Sequence, residues 1–133
     1  MDKSSFAGRR ILVVEDEMMI LLMMEEMLAD LGASVTAAAT VKQALAGIDA
    51  HVFDAATLDL NLDGHESYPV ADRLLARGVP FVFSTGYSQN SLKHGYRDRP
   101  ILRKPFKDRN LFDTVTLLLS HGSSERTPAT SYL

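Results

Sequence analysis

The sequence predicts an α/β fold: a doubly wound parallel sheet with helices on both faces. Three observations carry this. Short, almost unbroken apolar runs of Val, Ile, Leu and Phe recur along the chain, as strands buried on both faces require. Longer segments with helical spacing lie between them. Polar side chains of complementary chemistry follow directly after the runs, where open α/β sheets collect their sites.

In order along the chain, RILVVEDE opens with a buried strand at 10–14 and ends in three carboxylates. EMMILLMMEEMLADLG has no proline, no β-branched run and no glycine before Gly32, which suits a helix with a glycine stop. SVTAAA is a short second strand, and Thr40 has the chemistry of an N-cap for the helix VKQALAGI. FDAATLDL is the third strand. NLDGHES supplies turn residues, and YPVADRLLARG is a third helix, with Pro69 in its first turn and Gly78 at its stop. PFVFST and PILRK are the fourth and fifth strands, and RNLFDTVTLLLSH is the last helix, with apolar positions at Leu111, Val115, Leu118 and Leu119. A helix is also due within SQNSLKHGYRDR, but Asn90, Gly95 and few apolar anchors predict a short or mobile one.

The 133 residues fit one domain. Residues 1–9 read as an N-terminal extension, 10–121 as the folded unit, and 122–133, rich in Ser and Thr, as a mobile tail. With no cysteine, disulfides, thiolate metal sites and thiol catalysis are excluded. The longest apolar run, MMILLMM, is far shorter than the roughly 20 residues of a membrane-spanning helix. The N-terminus has no signal-peptide stretch, so a cytoplasmic home is expected. A net charge of −3 gives no general attraction to nucleic acid, and no nucleic-acid partner is expected.

The strand ends carry Glu15 and Asp16, then Asp59, then Ser84 and Thr85, then Lys104. Converging carboxylates repel one another, and a hard divalent cation such as Mg²⁺, or Mn²⁺, relieves the repulsion. A carboxylate can also attack phosphorus, provided an ammonium, a hydroxyl and a metal neutralise the transferring charge. Singly, the acids could be helix-start charges, Asp59 a turn residue and Lys104 a surface lysine. Four complementary groups on four strand ends point instead to one site.

LVVEDE, LDLNLDG, FSTGY and LRKPF, in this order and spacing, resemble the receiver domain of bacterial response regulators. FSTGY with RDRPILRKPF further resembles the single-domain receivers called the FAT GUY group, with Ser84 in place of alanine. The resemblance implies a flavodoxin-like sheet in the order 2-1-3-4-5 and phosphorylation by a histidine kinase or a histidine phosphotransfer protein. It implies Asp59 as phosphoacceptor, Asp16 as direct metal ligand and Glu15 as a water-mediated one. Asn61 would lend a backbone carbonyl to the metal, Thr85 and Lys104 would bind the phosphoryl group, and the Lys104–Pro105 bond would be cis.

Two positions depart from the pattern. Ile101 stands where an aromatic switch residue is usual, so output is expected through the loop after Thr85, at 88–96, or through Tyr87. Asp63 is expected to shape a turn with Gly64.

Five of the six methionines fall in the first helix. Met18, Met19 and Leu22, with Pro105, are expected to dock a partner, while Met23, Met24 and Met27 fill the core. Seven of the 14 Lys and Arg residues lie between Lys93 and Arg109, which suits drawing a phosphorylated partner or a solvated face. The expected protein is a monomeric or weakly dimeric signalling protein in two-component signalling or a phosphorelay. It is not an enzyme beyond self-phosphorylation and self-dephosphorylation at Asp59. A small Mg²⁺-dependent phosphohydrolase and an unphosphorylated pseudo-receiver are the alternatives.

Overall fold

The computed structural model describes residues 5–86 and 92–132, with side chains up to residue 120. In chain order the elements are β1 (Arg10–Val14), α1 (Met18–Asp30), β2 (Ser34–Ala38), α2 (Val41–Ala50) and β3 (Ala55–Asp59). A two-residue hairpin, β4 (Asn61–Leu62) and β5 (His65–Glu66), comes next. The chain continues through α3 (Tyr68–Ala76), β6 (Phe81–Thr85), β7 (Ile101–Arg103) and α4 (Asp108–Tyr132). The five long strands form one parallel sheet in the order β2-β1-β3-β6-β7, the expected topology.

Apolar continuity matches position in the sheet. Every residue of β3 and β6 is buried, whereas β2, at an edge, buries only Ala38. Side chains alternate between two cores. Leu12, Val14, Leu58, Phe81 and Phe83 face α2 and α3, and Ile11, Val13, Val82 and Leu102 face α1 and α4. Thr40 caps α2 as expected, accepting from the Gln43 amide at 3.1 Å, while the Gln43 side chain accepts from the Ala39 amide at 2.9 Å.

Gly32 closes α1 with φ +100°, and Ala33 N donates to Leu28 O at 3.2 Å. A Cβ there would also come within 3.3 Å of the Ala7 backbone. That approach reflects how the N-terminal stretch is held. Phe6 is fully buried and stacks on Phe112 of α4 at 5.4 Å, and Ser34 N donates to Arg9 O at 2.7 Å. Phe6, in the stretch read from sequence as an extension, is thus packed into the α1/α4 core, while Ala7 and Gly8 are exposed.

Two other stretches differ from the sequence reading. α4 continues past His121 to Tyr132, so its backbone runs helically through the segment read as a tail. Between β6 and β7, residues 92–100 form turns and bends, and 87–91, on which part of the expected short helix and Tyr87 fall, lie outside the described residues. Leu92 and Tyr96 are buried and anchor the described part of this connection. Met23, expected in the core, is exposed, while Met24 is buried.

Candidate functional site

The functional side chains stand at the carboxyl ends of β1, β3, β6 and β7. Asp59 lies opposite Ser84, and Ser84 opposite Leu102. Glu15 follows Val14, which pairs with Leu58, so it is level with Asp59. By the alternation of the strands, Glu15, Asp59, Ser84 and Lys104 project on the α1/α4 side.

The Lys104 ammonium lies 2.7 Å from Glu15 Oε1 and 3.3 Å from Asp59 Oδ2. Glu15 is almost fully buried, and its other oxygen, Oε2, accepts from Glu17 N at 3.1 Å. Glu15, Asp16 and Asp59 can each offer a carboxylate oxygen within 4.8 Å of the others. Three hard oxygen donors at that spacing suit Mg²⁺ or Mn²⁺, which favour carboxylate and water ligands, so the donor set fits the expected cation.

The electrostatics follow from the burial. Burial, reinforced by the neighbouring Glu15 carboxylate, pushes Asp59 up to about 7, against the opposing pull of Lys104. Burial works against the charge on Lys104, but the hydrogen bond to Glu15 and the charges of Asp59 and Glu15 hold its affinity for protons above the ordinary value. Three charged groups therefore share one half-buried point with an excess of negative charge. A cation or a transferring phosphoryl group with its metal would change that balance.

The loop after β3 is tied to the same point. Asp63 N donates to Asp16 Oδ2 at 3.0 Å, and Gly64 N to Asn61 Oδ1 at 2.9 Å. Asp63 has φ +52° and Gly64 φ +86°, the turn geometry expected of this pair. Asn61 N lies 3.4 Å from Asp59 Oδ1. Thr85 is buried at the end of β6, its carbonyl accepting from Lys104 N at 2.9 Å. The Lys104–Pro105 bond is cis, and Pro105 is exposed.

Met18, Met19 and Leu22 are 57%, 82% and 53% exposed on α1, so the apolar patch read from sequence is presented to solvent. Ile101 pairs with Phe83 and packs, half-buried, on the α2/α3 side. Sequence reasoning missed what stands beside it: Tyr68, Phe83 and Tyr96, with ring centroids 5.5–5.8 Å apart. The Tyr68 hydroxyl accepts from Lys93 N at 2.7 Å, and the Tyr96 hydroxyl bonds to Asp72 of α3. Burial and that carboxylate push Tyr96 up to about 12. Tyr68 opens α3, Phe83 lies on β6 and Tyr96 lies in the β6–β7 connection, so only the packing of a helix and a loop on the sheet brings these rings together; their spacing in sequence gives no signal.

A cavity of about 610 Å³ opens at the opposite end of the sheet, lined by Val79, Pro80 and Phe81 before and at the start of β6 and by Pro100 and Ile101 at that of β7. It is remote from Asp59. None of the described helices is long and apolar enough to cross a membrane.

Residues 11–116 match the response regulator receiver domain. The chain belongs to that family, whose members receive phosphoryl groups in two-component signalling. It is 32% identical over 129 residues to the transcriptional regulatory protein TcrA of Mycobacterium tuberculosis, covering 92% of this chain and 50% of TcrA. The chain thus spans about half the length of the curated relatives it matches. SdrG from Sphingomonas melonis Fr1 is 43% identical in its solution structure, with a TM-score of 0.72, covering 87% of this chain and 98% of SdrG. A CheY-like receiver domain protein from Methanospirillum hungatei is 28% identical, with a TM-score of 0.78, covering 90% of this chain and 99% of that one.

Proposed function

We propose that this receiver takes a phosphoryl group from the phosphohistidine of a sensor kinase or phosphotransfer protein onto Asp59, and passes the signal on by protein contact. The observation that carries this is the Lys104 ammonium held between Glu15 and Asp59, with Asp16 close enough to share a cation. In the transfer a carboxylate oxygen of Asp59 forms a bond to phosphorus while the bond from phosphorus to the histidine nitrogen breaks, its electron pair leaving with the imidazole. Asp59 must be ionised to attack, which its position beside Glu15 opposes. Glu15, Asp16, Asp59 and the Asn61 carbonyl would hold Mg²⁺, which supplies positive charge to the carboxylates and to the transferring group. Lys104 and the Thr85 hydroxyl would receive the phosphoryl oxygens, Lys104 following the charge from carboxylate to phosphate.

A solved BeF₃-activated conformation of SdrG supports this reading by analogy. FSTGY supports placement in the FAT GUY-like group, and the match to 98% of the solved SdrG chain supports the single-domain type. Met18, Met19, Leu22 and Pro105 would meet the phosphodonor, and the connection after Thr85 would carry the output in place of an aromatic at position 101. A phosphohydrolase would need a general acid beside its nucleophile, and the residue two positions beyond Asp59 is Asn61, not a carboxylate.

Transfer from a purified histidine kinase with Mg²⁺ tests the proposal. Label should appear on the parent and not on Asp59→Asn. Labelling of both would place the acceptor elsewhere.

A further inference from the structure

Ser84 sits between the two groups that define the site. It is the register partner of Asp59 on the neighbouring strand, and paired residues of parallel strands project to the same face. Lys104, just past the end of the next strand out, reaches across the end of β6 to Asp59 and Glu15 from two residues beyond Leu102, the register partner of Ser84. Ser84 is 1% exposed, and its Oγ has no hydrogen-bond partner among the described residues.

A buried hydroxyl without a partner is destabilising, and alanine would occupy the same space without that cost. Thr57 Oγ1 also has no partner among the described residues, but it lies two residues deeper, level with Val13 and Val82 of the apolar core. Ser84 alone of the two is level with a reactive carboxylate. In the resting site the Asp59 oxygens face Lys104 Nζ and Asn61 N. Once charge moves to a phosphoryl group, the ammonium should follow it, which would free an Asp59 oxygen for a donor on the neighbouring strand, where Ser84 is its register partner.

We propose that Ser84 is a hydrogen-bond donor to the Asp59 carboxylate as it leaves during hydrolysis of the acyl phosphate, so that it shortens the life of the phosphorylated state. The inference rests on the reading of Asp59 as phosphoacceptor. In the step, a water oxygen bonds to phosphorus and the bond from phosphorus to Asp59 breaks. The electron pair returns to the carboxylate, and the water proton remains with the inorganic phosphate or passes to solvent. Ser84 keeps its proton and donates a hydrogen bond to the oxygen on which charge grows.

The test loads the full chain with acetyl phosphate and Mg²⁺, removes the donor, and follows decay of the adduct by intact mass in parent, Ser84→Ala and Ser84→Thr. Loss of one donor to a developing charge should slow decay about tenfold in the alanine variant. The threonine variant should decay near the parent rate. The thermal midpoint of unphosphorylated Ser84→Ala should stay at or above the parent's, which separates the effect from a folding defect. If the threonine variant does not fold, Ser84→Cys, with a weak donor of similar size, should decay as slowly as alanine. Equal decay of Ser84→Ala and parent, with an adduct confined to Asp59, overturns the inference alone. An adduct that also forms on Asp59→Asn, or none on the parent, overturns the phosphoacceptor reading and the inference with it.

Discussion

Lys104 Nζ stands 2.7 Å from Glu15 Oε1 and 3.3 Å from Asp59 Oδ2, so one ammonium holds two crowded carboxylates together. Lys104→Ala should therefore fold but be less stable, by about 1–3 kcal/mol in chelator. The loss should shrink with added Mg²⁺, because a cation bound by the folded state replaces the missing charge. Phosphorylated Lys104→Ala should also lack the amide shifts that phosphorylation causes at residues 92–99 in the parent. Calorimetry and backbone NMR check both halves, and identical spectral changes in variant and parent would refute the coupling.

Asp59 gives stability a pH dependence of definite sign. Its folded pKa of about 7 lies above the ordinary 3.8, so the folded state favours the protonated acid. The stability tied to that proton is full below the ordinary range and is lost as pH rises through about 7. Asp59→Asn cannot ionise and escapes the loss. In metal-free buffer the variant should gain little near pH 4 and about 2–4 kcal/mol above pH 7. Urea titrations across that range check it, and a gain that falls with rising pH would contradict it.

Phe6 should behave as a core residue. Fully buried and stacked on Phe112, it should cost about 3 kcal/mol or more when cut to alanine. Removal of residues 1–9 should destabilise similarly. A variant with parent-like stability would show the stretch to be dispensable.

Why some of this was legible in sequence and some not is a matter of what each residue's neighbours share. Asp59, Asp16 and Lys104 announce themselves because strand ends of a parallel sheet converge, so each polar residue after an apolar run is placed by the alternation itself. Thr40 and Gly32 are legible because caps are local chemistry. Phe6 gave no signal, since an isolated aromatic ahead of the first strand has no period to read. The Tyr68–Phe83–Tyr96 cluster exists only once α3 and the β6–β7 connection pack on β6, and the placing of the Ser84 hydroxyl beside Asp59 only once β3 and β6 are in register. Met23 was misplaced because α1 is apolar almost all round, which blurs the angle between core and solvent.

The α1 patch should govern transfer from a protein donor and little else. Met19→Ser with Leu22→Ser replaces exposed side chains and should change stability by about 0.5 kcal/mol or less. Labelling by acetyl phosphate should be unchanged, while transfer from a partner's phosphohistidine should slow at least about tenfold, the effect of losing roughly 1.4 kcal/mol of docking. Equal slowing with both donors would place the defect in the site instead.

The phosphoacceptor claim is tested most directly by intact mass after incubation with Mg²⁺ and acetyl phosphate, followed by peptide mapping of a borohydride-trapped adduct. A single phosphoryl group on Asp59, absent from Asp59→Asn and dependent on Mg²⁺, is the expected result. An unmodified parent chain, or a phosphoryl group mapped to another residue, would contradict it.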